Sequence, residues 1–218
     1  MLIFSSMKPE NSKFTRIALI AKPGDAGLVD ILQLIQKFLQ TRQLKVVLDT
    51  NAAELLGTAE PVPVEDLSKK CDLAIVVGGD GTLLSAAREL VLNDIPLVGV
   101  NLGRLGFLVD ISPKQALQSL EAILDGAYLE EQRFLLEARI GSGKPTLAFN
   151  EVTLHKWNIA RMIEFETRVN GQLVNTSDLM ALSSLHPPAP LPTPCPVAVH
   201  CWNPPWMRLH WFPSVPIR

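Results

Sequence analysis

The segment Leu73–Val77 is an unbroken apolar run, LAIVV, that ends at three closely spaced glycines, Gly78, Gly79 and Gly81. A strand with apolar side chains on both faces is typical of the centre of a parallel sheet, because helices then cover both faces. The next segment, TLLSAARELVL, has the spacing of an amphipathic helix. A buried strand that turns through glycines into a helix predicts an α/β fold.

The chain up to residue 128 repeats this alternation of strand and helix. Strands are predicted at TRIALIAK, KVVLDT and IPLVGVN, and helices at DAGLVDILQLIQKFLQTR and SPKQALQSLEAIL. Asp25 is the predicted cap of the first helix, and Ser112 and Pro113 are the predicted cap and first residue of the second. We therefore predict that 1–128 is an α/β domain with a doubly wound parallel sheet.

The pattern changes after residue 128. The runs FLLEARI, PTLAFNEVTL and MIEFETRV are typical of strands, and no helical pattern separates them. Asn170 and Gly171 predict a hairpin turn, because this pair tolerates positive φ at both turn positions. We expect 129–177 to be a truncated part of a second, mostly antiparallel β domain.

The segment 178–218 has a different composition from the rest of the chain. It holds 10 of the 17 prolines and three of the four tryptophans. Proline lacks an amide donor and restricts φ, which excludes it from helix interiors and from central strands. We predict that 178–218 is an irregular tail.

The overall composition excludes several classes of protein. The 218 residues are 47% hydrophobic and 19% charged, which is typical of a globular chain. Lys plus Arg number 20 against 22 Asp plus Glu, so no basic excess exists for nucleic-acid phosphates. No apolar run approaches the roughly 18–20 residues of a membrane helix, and three irregularly spaced cysteines form no disulfide framework. We expect a cytoplasmic protein that binds neither nucleic acid nor membranes.

The glycines that follow the LAIVV strand are the best candidates for a ligand site. Glycines let a backbone approach a phosphate closely, and the start of a helix favours an anion. Asp80 would stand at the carboxyl end of a parallel strand, where ligands bind in such sheets. A simple tight turn explains the same residues equally well at this level. The spacing matches neither the P-loop nor the dinucleotide GxGxxG pattern.

Two further segments are weaker candidates when each is taken alone. Residues 101–108, NLGRLGFL, follow the next predicted strand and should lie beside the first glycine loop, although a glycine turn before a core segment is the simpler interpretation. Asn150 and Glu151 precede VTLHK, and such a pair of polar residues usually lies on the protein surface without a binding role. His155 and Cys71 have no partner at the spacing of a zinc site.

Together, and in this order and spacing, GGDGT, NLGRLGFL and NEVTLHKWNIARMIEFE resemble the bacterial NAD kinase family over about residues 15–177. The GGDGT loop alone is less specific, because phosphofructokinases and diacylglycerol-type lipid kinases carry similar loops. The combination of NLGRLGFL with NEVTLH points to NAD kinase.

The resemblance implies transfer of a phosphoryl group from ATP, or from polyphosphate, to the 2′-hydroxyl of the adenosine ribose of NAD, which gives NADP. It implies Mg²⁺ or Mn²⁺ as the divalent metal and a homo-oligomer. It also implies that Asp80 is the general base and that Gly81, Asn150, Glu151 and Arg161 contact NAD. The other predicted binding residues lie in the two glycine segments: Gly78, Gly79, Thr82, Asn101, Gly103 and Phe107.

The resemblance stops at Ser177, where the family continues with an RSDG stretch and a TPTGSTAY-like loop. Reading the tail one base earlier gives that family segment when the third base of each degenerate codon is chosen to fit. At four places the shifted codon is fixed, because Met and Trp have one codon each. These shifted codons encode Gly after Met180, Glu after Trp202, Asp after Trp206 and Val after Trp211. We interpret 178–218 as the product of one lost base near the Ser177 codon. A genuine proline-rich extension that binds a partner is the alternative.

The altered tail removes the serine/threonine loop and the C-terminal strands that the resemblance implies. We therefore expect this chain to be impaired in catalysis and in assembly. Two alternative functions remain at this level. One is a non-catalytic nucleotide-binding remnant, and the other is a lipid or sugar kinase of the GGDGT type.

Overall fold

The computed structural model describes most of the chain up to residue 155 and shorter stretches beyond it. The described ranges are 2–3, 14–58, 60–90, 93–101, 108–109, 111–130, 135–149, 151–155, 163–169, 171–179, 181–185, 197–201 and 207–211. The chain divides into two compact units, 1–133 with 216–218, and 134–215. The three-part division predicted from the sequence stays a prediction.

The first unit is an α/β domain built on a parallel sheet. Its strands are β1 (Leu2–Ile3), β2 (Arg16–Ala21), β3 (Lys45–Leu48), β4 (Leu73–Val77), β5 (Leu97–Val100) and β6 (Leu129–Glu130). Its helices are α1 (Val29–Thr41), α2 (Thr50–Leu56), α3 (Val64–Leu67), α4 (Asp80–Leu90) and α5 (Ala116–Leu124), and a 3-10 turn at Ala26–Leu28 precedes α1. The four-stranded sheet has the order β3-β2-β4-β5 with parallel pairing throughout, while β1 and β6 form a separate antiparallel pair. The predicted α/β class is confirmed.

The sheet register stacks large apolar side chains in the centre of this domain. Leu19 of β2 pairs with Leu48 of β3 on one side and with Ile75 of β4 on the other, and Ile75 also pairs with Val98 of β5. Leu19 and Ile75 are fully buried. Burying one such side chain stabilises the fold by about 1.5–3 kcal/mol. The apolar run seen in the sequence is therefore a central strand of the core.

Helix α1 packs against this core through a stripe at helical spacing. Leu32, Ile35 and Leu39 are each fully buried. Asp25 caps the 3-10 turn that leads into the helix, where its Oδ1 accepts a hydrogen bond from the Gly27 amide at 3.2 Å. Asp25 therefore caps this turn, while the predicted cap of α1 itself is wrong, because α1 begins after Leu28, which makes no side-chain cap bond.

Helix α5 begins later than its sequence predicts. It starts at Ala116, with Gln115 at the N-cap and no side-chain cap bond. The Ser112 hydroxyl lies 3.0 Å from Gln115 Oε1, to which it donates, while the Gln115 amide donates to the Ser112 carbonyl at 3.0 Å. The predicted Ser112 cap and Pro113 start are wrong, because this segment forms a turn before the helix begins.

The second unit contains antiparallel strands. They are β7 (Leu136–Ile140), β8 (Thr146–Ala148), β9 (Glu151–His155), β10 (Ile163–Val169), β11 (Gln172–Leu179), β12 (Ala181–Leu185), β13 (Val197–Cys201) and β14 (Met207–Trp211). One sheet has the order β11-β10-β13-β14-β7-β8, and β12 pairs with β9. Val169 pairs with Gln172 and Gly171 has a φ of +82°, so the predicted hairpin joins β10 and β11 at Gly171, while Asn170 lies outside the described residues.

The tail differs from its predicted irregular form, since β12, β13 and β14 lie within 178–218. These strands, ALSSL, VAVHC and MRLHW, contain no proline. Their ladders join them to partners far away in the chain, as where Leu209 of β14 pairs with Ala138 of β7. Such pairing cannot be read from the local composition of the tail.

Within the described ranges, no helix is both long and apolar enough to cross a bilayer.

Candidate active site

The GGDGT segment lies between the ends of two neighbouring strands. The Lys22 amide, just past β2, donates to the Val77 carbonyl at 3.1 Å, and the Gly78 amide donates to the Val100 carbonyl at 2.9 Å. These bonds extend the ladders of β4 on both sides by one residue. The loop therefore leaves the carboxyl edge of the sheet from a fixed position, where ligands bind in open α/β folds.

The first glycine of this loop is required by close packing. A Cβ built on Gly78 would lie 2.6 Å from Thr82 Oγ1 and 3.2 Å from Lys22 Cβ. Gly79 and Gly81 have open space where a Cβ would stand. Gly78 is thus needed for the turn itself, while Gly79 and Gly81 leave the backbone accessible from outside.

Helix α4 begins directly at Asp80. The amides of Thr82 and Leu83 donate to the Gly79 carbonyl at 3.0 and 3.2 Å, so Gly79 takes the capping position. The first amides of a helix point out along its axis and carry the positive end of the helix dipole. This end of α4 can therefore favour an anionic group of a ligand.

The Asp80 carboxylate is half-buried and is held from outside its own loop. Its Oδ1 accepts a hydrogen bond from the Leu108 backbone amide at 3.2 Å. Leu108 is 28 positions further along the chain, in the second glycine segment. The structure thus joins the two segments that the sequence analysis placed side by side.

Contacts with β5 explain how Leu108 lies beside Asp80. Asn101 is 5% exposed, and its backbone amide donates to the Ile111 carbonyl at 2.8 Å. Val109 is buried against Gly99, where an added Cβ would lie 2.9 Å from Val109 Cγ1. Val109 and Ile111 therefore lie against β5, and this places the neighbouring Leu108 amide beside the carboxylate.

Several predicted site residues cannot be placed beside Asp80. Gly103, Phe107, Asn150 and Arg161 lie outside the described residues. Glu151 is the first residue of β9, where its backbone pairs with Leu185. Gly78, Gly79, Asp80, Gly81, Thr82 and Asn101 are the predicted residues that the structure brings together at one sheet edge.

A lysine at the same edge was not among the residues predicted from the sequence. Lys22 follows β2 directly, and its side chain is exposed. Its Nζ lies 3.1 Å from Asp25 Oδ2. An exposed ion pair of this kind contributes only about 0–1 kcal/mol, so the ammonium can move to a ligand phosphate at small cost. Its position one residue past an apolar strand was the available signal.

A buried carboxylate was also missed. Asp49 follows β3, and its side chain is fully buried. Its Oδ1 accepts from the Ala21 amide at 3.2 Å and from the Ala52 amide at 2.7 Å, and its Oδ2 accepts from Asn51 Nδ2 at 3.0 Å. Burial raises the pKa of Asp49, and the hydrogen bonds oppose that shift. This side chain caps α2 and ties β3 to β2.

A cavity of about 270 Å³ opens next to these elements. Gly81 and Thr82 of α4, Pro23 after β2, and Asp49 and Asn51 at α2 form part of its lining. The cavity therefore touches the GGDGT loop.

The described residues contain no metal cluster built from protein side chains alone. Among them, no group of three or more His, Cys, Asp or Glu side chains could hold a metal ion. Mg²⁺ at phosphoryl-transfer sites is usually held by one or two carboxylates together with substrate phosphates, so the Mg²⁺ or Mn²⁺ implied by the sequence resemblance stays a prediction.

Comparison with known proteins identifies relatives that cover much of the chain. The family described as the ATP-NAD kinase N-terminal domain matches residues 17–128, just over half of the sequence. The NAD kinase of Methylococcus capsulatus is 44% identical over 170 residues, covering 76% of this chain and 59% of that protein. The NAD kinase of Azoarcus sp. is 43% identical over 183 residues, covering 80% and 62%. The chain therefore spans less than two thirds of the length of these relatives.

Solved structures show the same fold at low sequence identity. A yeast NADH kinase complexed with NADH aligns with a TM-score of 0.70 and 16% identity, covering 93% of this chain and 76% of that chain. An NAD kinase from Archaeoglobus fulgidus in complex with ATP aligns with a TM-score of 0.62 and 21% identity, covering 91% and 82%. The N-terminal domain, its glycine loop and the sequence matches agree, and the chain belongs to the NAD kinase family.

Proposed function

We propose that this chain carries the phosphoryl-transfer site of an NAD kinase, which phosphorylates the 2′-hydroxyl of the adenosine ribose of NAD with ATP or polyphosphate. The observation that carries the proposal is the placement of Asp80 at the carboxyl edge of the sheet, with its carboxylate held by the Leu108 amide. Membership of the family supports this choice of substrate and reaction.

Asp80 is suited to the role of general base in this reaction. A sugar hydroxyl must lose its proton as it attacks a phosphorus atom, and a carboxylate within hydrogen-bond reach can take that proton. The Leu108 amide binds Oδ1 and so limits rotation of the carboxylate. A positioned base of this kind accelerates a reaction by roughly 10²–10⁴-fold.

The same edge offers groups that can bind the phosphates of the donor. The start of α4 favours an anion, and Gly79 and Gly81 leave room for a phosphate to approach the backbone. The Lys22 ammonium lies on the neighbouring strand end and can shift from Asp25 to a phosphate oxygen.

The proposal is tested by replacing Asp80 in the full chain and measuring NADP formation with ATP and with polyphosphate. We expect Asp80→Asn to lower the rate by roughly 10²–10⁴-fold, because the base is lost. The dissociation constant for NAD should change little, since the amide side chain keeps the shape of the carboxylate. Asp30→Asn is the matched control, because it changes an exposed carboxylate on α1 that has no part in the proposed site.

A version with the reading frame restored after Ser177 is assayed beside this chain, so that a slow wild type does not hide the effect of the substitution. Wild-type turnover by Asp80→Asn would refute the assignment of the base. Phosphorylation of diacylglycerol in place of NAD would refute the assignment of the substrate. A chain that binds NAD and forms no NADP even with its frame restored is a non-catalytic nucleotide-binding protein.

A further inference from the structure

We propose that the cavity of about 270 Å³ beside the GGDGT loop binds the heteroaromatic base of the phosphoryl donor, so that ATP is bound through its base as well as through its phosphates. This inference rests on the proposed function, because it assigns the donor of that reaction. Besides Gly81 and Thr82 of GGDGT, it concerns residues of β2, α2, α3 and α4 that no sequence motif singled out.

The cavity lies between three helices and the end of one strand. Thr82, Ser85 and Glu89 follow one another at helical spacing and present one face of α4 to it. Gly81 and Ala86 also belong to the α4 wall. The remaining lining residues come from the end of β2, from Pro23 just after it, from α2 and its cap, and from α3: Ile20, Ala21, Pro23, Asp49, Asn51 and Val64.

The charge of this lining selects against phosphate. Asp49 and Glu89 are carboxylates, and none of the lining residues that the structure describes is Lys or Arg. A phosphate group would meet negative charge there without a compensating cation. The uncharged part of a nucleotide carries no such penalty, and its amino and ring nitrogen atoms can hydrogen-bond to Asn51, Ser85 or Glu89.

The size of the cavity separates a base from a whole cofactor. Small-molecule sites typically measure about 300–1,000 Å³, so this cavity is at their lower limit. One fused ring system fits such a volume, whereas a complete dinucleotide does not. Its apolar walls, including Ile20, Pro23 and Val64, suit the faces of an aromatic ring.

The position of the cavity connects it to the reaction site. Gly81 and Thr82 belong both to the cavity lining and to the first turn of α4. Pro23, which also lines the cavity, directly follows Lys22. A donor with its base in the cavity can therefore extend its phosphates toward the Lys22 ammonium and the start of α4, where Asp80 stands.

The test compares the binding of ATP, inorganic tripolyphosphate and NAD to the full chain by titration calorimetry. Ser85 is exposed on α4, so Ser85→Phe places a large ring over the cavity without disturbing the core. Ser85→Ala removes the hydroxyl and leaves the cavity open. Gln118→Phe adds the same ring at an exposed position of α5, which does not line the cavity, and controls for the effect of an added aromatic side chain.

We expect the wild type to bind ATP about tenfold or more tightly than tripolyphosphate, and Ser85→Phe to abolish that difference while tripolyphosphate binding stays unchanged. Gln118→Phe should retain the preference for ATP, and Ser85→Ala, which loses one possible hydrogen bond to the base, should reduce it less than Ser85→Phe does. Equal affinity of the wild type for ATP and tripolyphosphate would overturn the inference, as would a Ser85→Phe variant that loses NAD and keeps ATP. These outcomes are read from donor binding, so they are separate from NADP formation, on which the proposed function depends.

Discussion

Replacing Asp49 by alanine tests how the carboxyl edge of the sheet is held together. The substitution removes an acceptor that serves two buried backbone amides, those of Ala21 at 3.2 Å and Ala52 at 2.7 Å. Loss of a helix cap costs about 0.5–2 kcal/mol, and a buried amide left without a partner costs about 1–3 kcal/mol. The substitution also removes a buried negative charge. Burial disfavours that charge, as the raised pKa of Asp49 shows, so its removal offsets part of the destabilisation. We expect a net loss of about 3 kcal/mol.

Such a loss is measurable by urea unfolding followed by far-ultraviolet circular dichroism. For a chain of this size it corresponds to a fall of about 6–12 °C in the Tm. The matched control is Asp49→Asn, which keeps Oδ1 as the acceptor for both amides. Rotation of the Asn51 amide can then present its oxygen to the new amide nitrogen, so this variant should lose less than about 1 kcal/mol.

The two variants separate the acceptor from the charge. If Asp49→Ala lost less than 1 kcal/mol, the two amides would not depend on this side chain. If Asp49→Asn were as unstable as Asp49→Ala, the negative charge and not the hydrogen bonds would stabilise the edge. Either result would refute the account given for Asp49.

Three further predictions follow from the same domain. Because the pKa of Asp49 is raised above its usual 3.8, the native state holds this proton more tightly than the unfolded state does. The stability of the wild type relative to Asp49→Asn should therefore be greatest below pH 3.8 and fall as the pH rises through the native pKa. Urea titrations across this pH range check the sign. Gly78→Ala should destabilise the chain by about 1–3 kcal/mol, because its Cβ would meet Thr82 Oγ1 at 2.6 Å. Gly79→Ala has open space at its Cβ and should cost less in the same unfolding assay. Equal losses would contradict the packing requirement. Burial raises the pKa of Cys71 to about 11, so iodoacetamide should not alkylate this thiol in the native chain at pH 7. In the urea-unfolded chain it should be alkylated, as peptide mass spectrometry would show. Rapid labelling of the native chain would contradict this prediction.

The sequence predicted the parts of the fold that local patterns determine. The LAIVV run became β4, with parallel partners on both sides, and the glycines after it became the turn into α4. The helix starts at Asp80, two residues earlier than the apolar spacing indicated, because the Gly79 carbonyl already accepts the first helical bonds. This shift places the predicted base at the first position of the helix.

Other elements depend on contacts that no local pattern contains. Helices α2 and α3 are short and lie in a segment punctuated by Pro61 and Pro63, so the sequence indicated only a polar connection. The role of Asp49 arises from its bond to Ala21, 28 residues away, and the role of Leu108 from its bond to Asp80. The strands of the tail likewise exist through pairing with distant partners, such as that of Arg208 with Arg139.

The hydrogen bond that orients Asp80 comes from a main-chain nitrogen, and this makes the geometry insensitive to the identity of residue 108. Leucine is only 8% exposed at that position, so exchanges there alter hydrophobic packing while the donor persists. Of the genetically encoded amino acids, proline alone lacks the required proton. The direction of the Asp80 carboxylate is thus set by the path of the main chain. Substitutions of residue 108 other than proline should therefore lower the stability of the fold before they change the reaction.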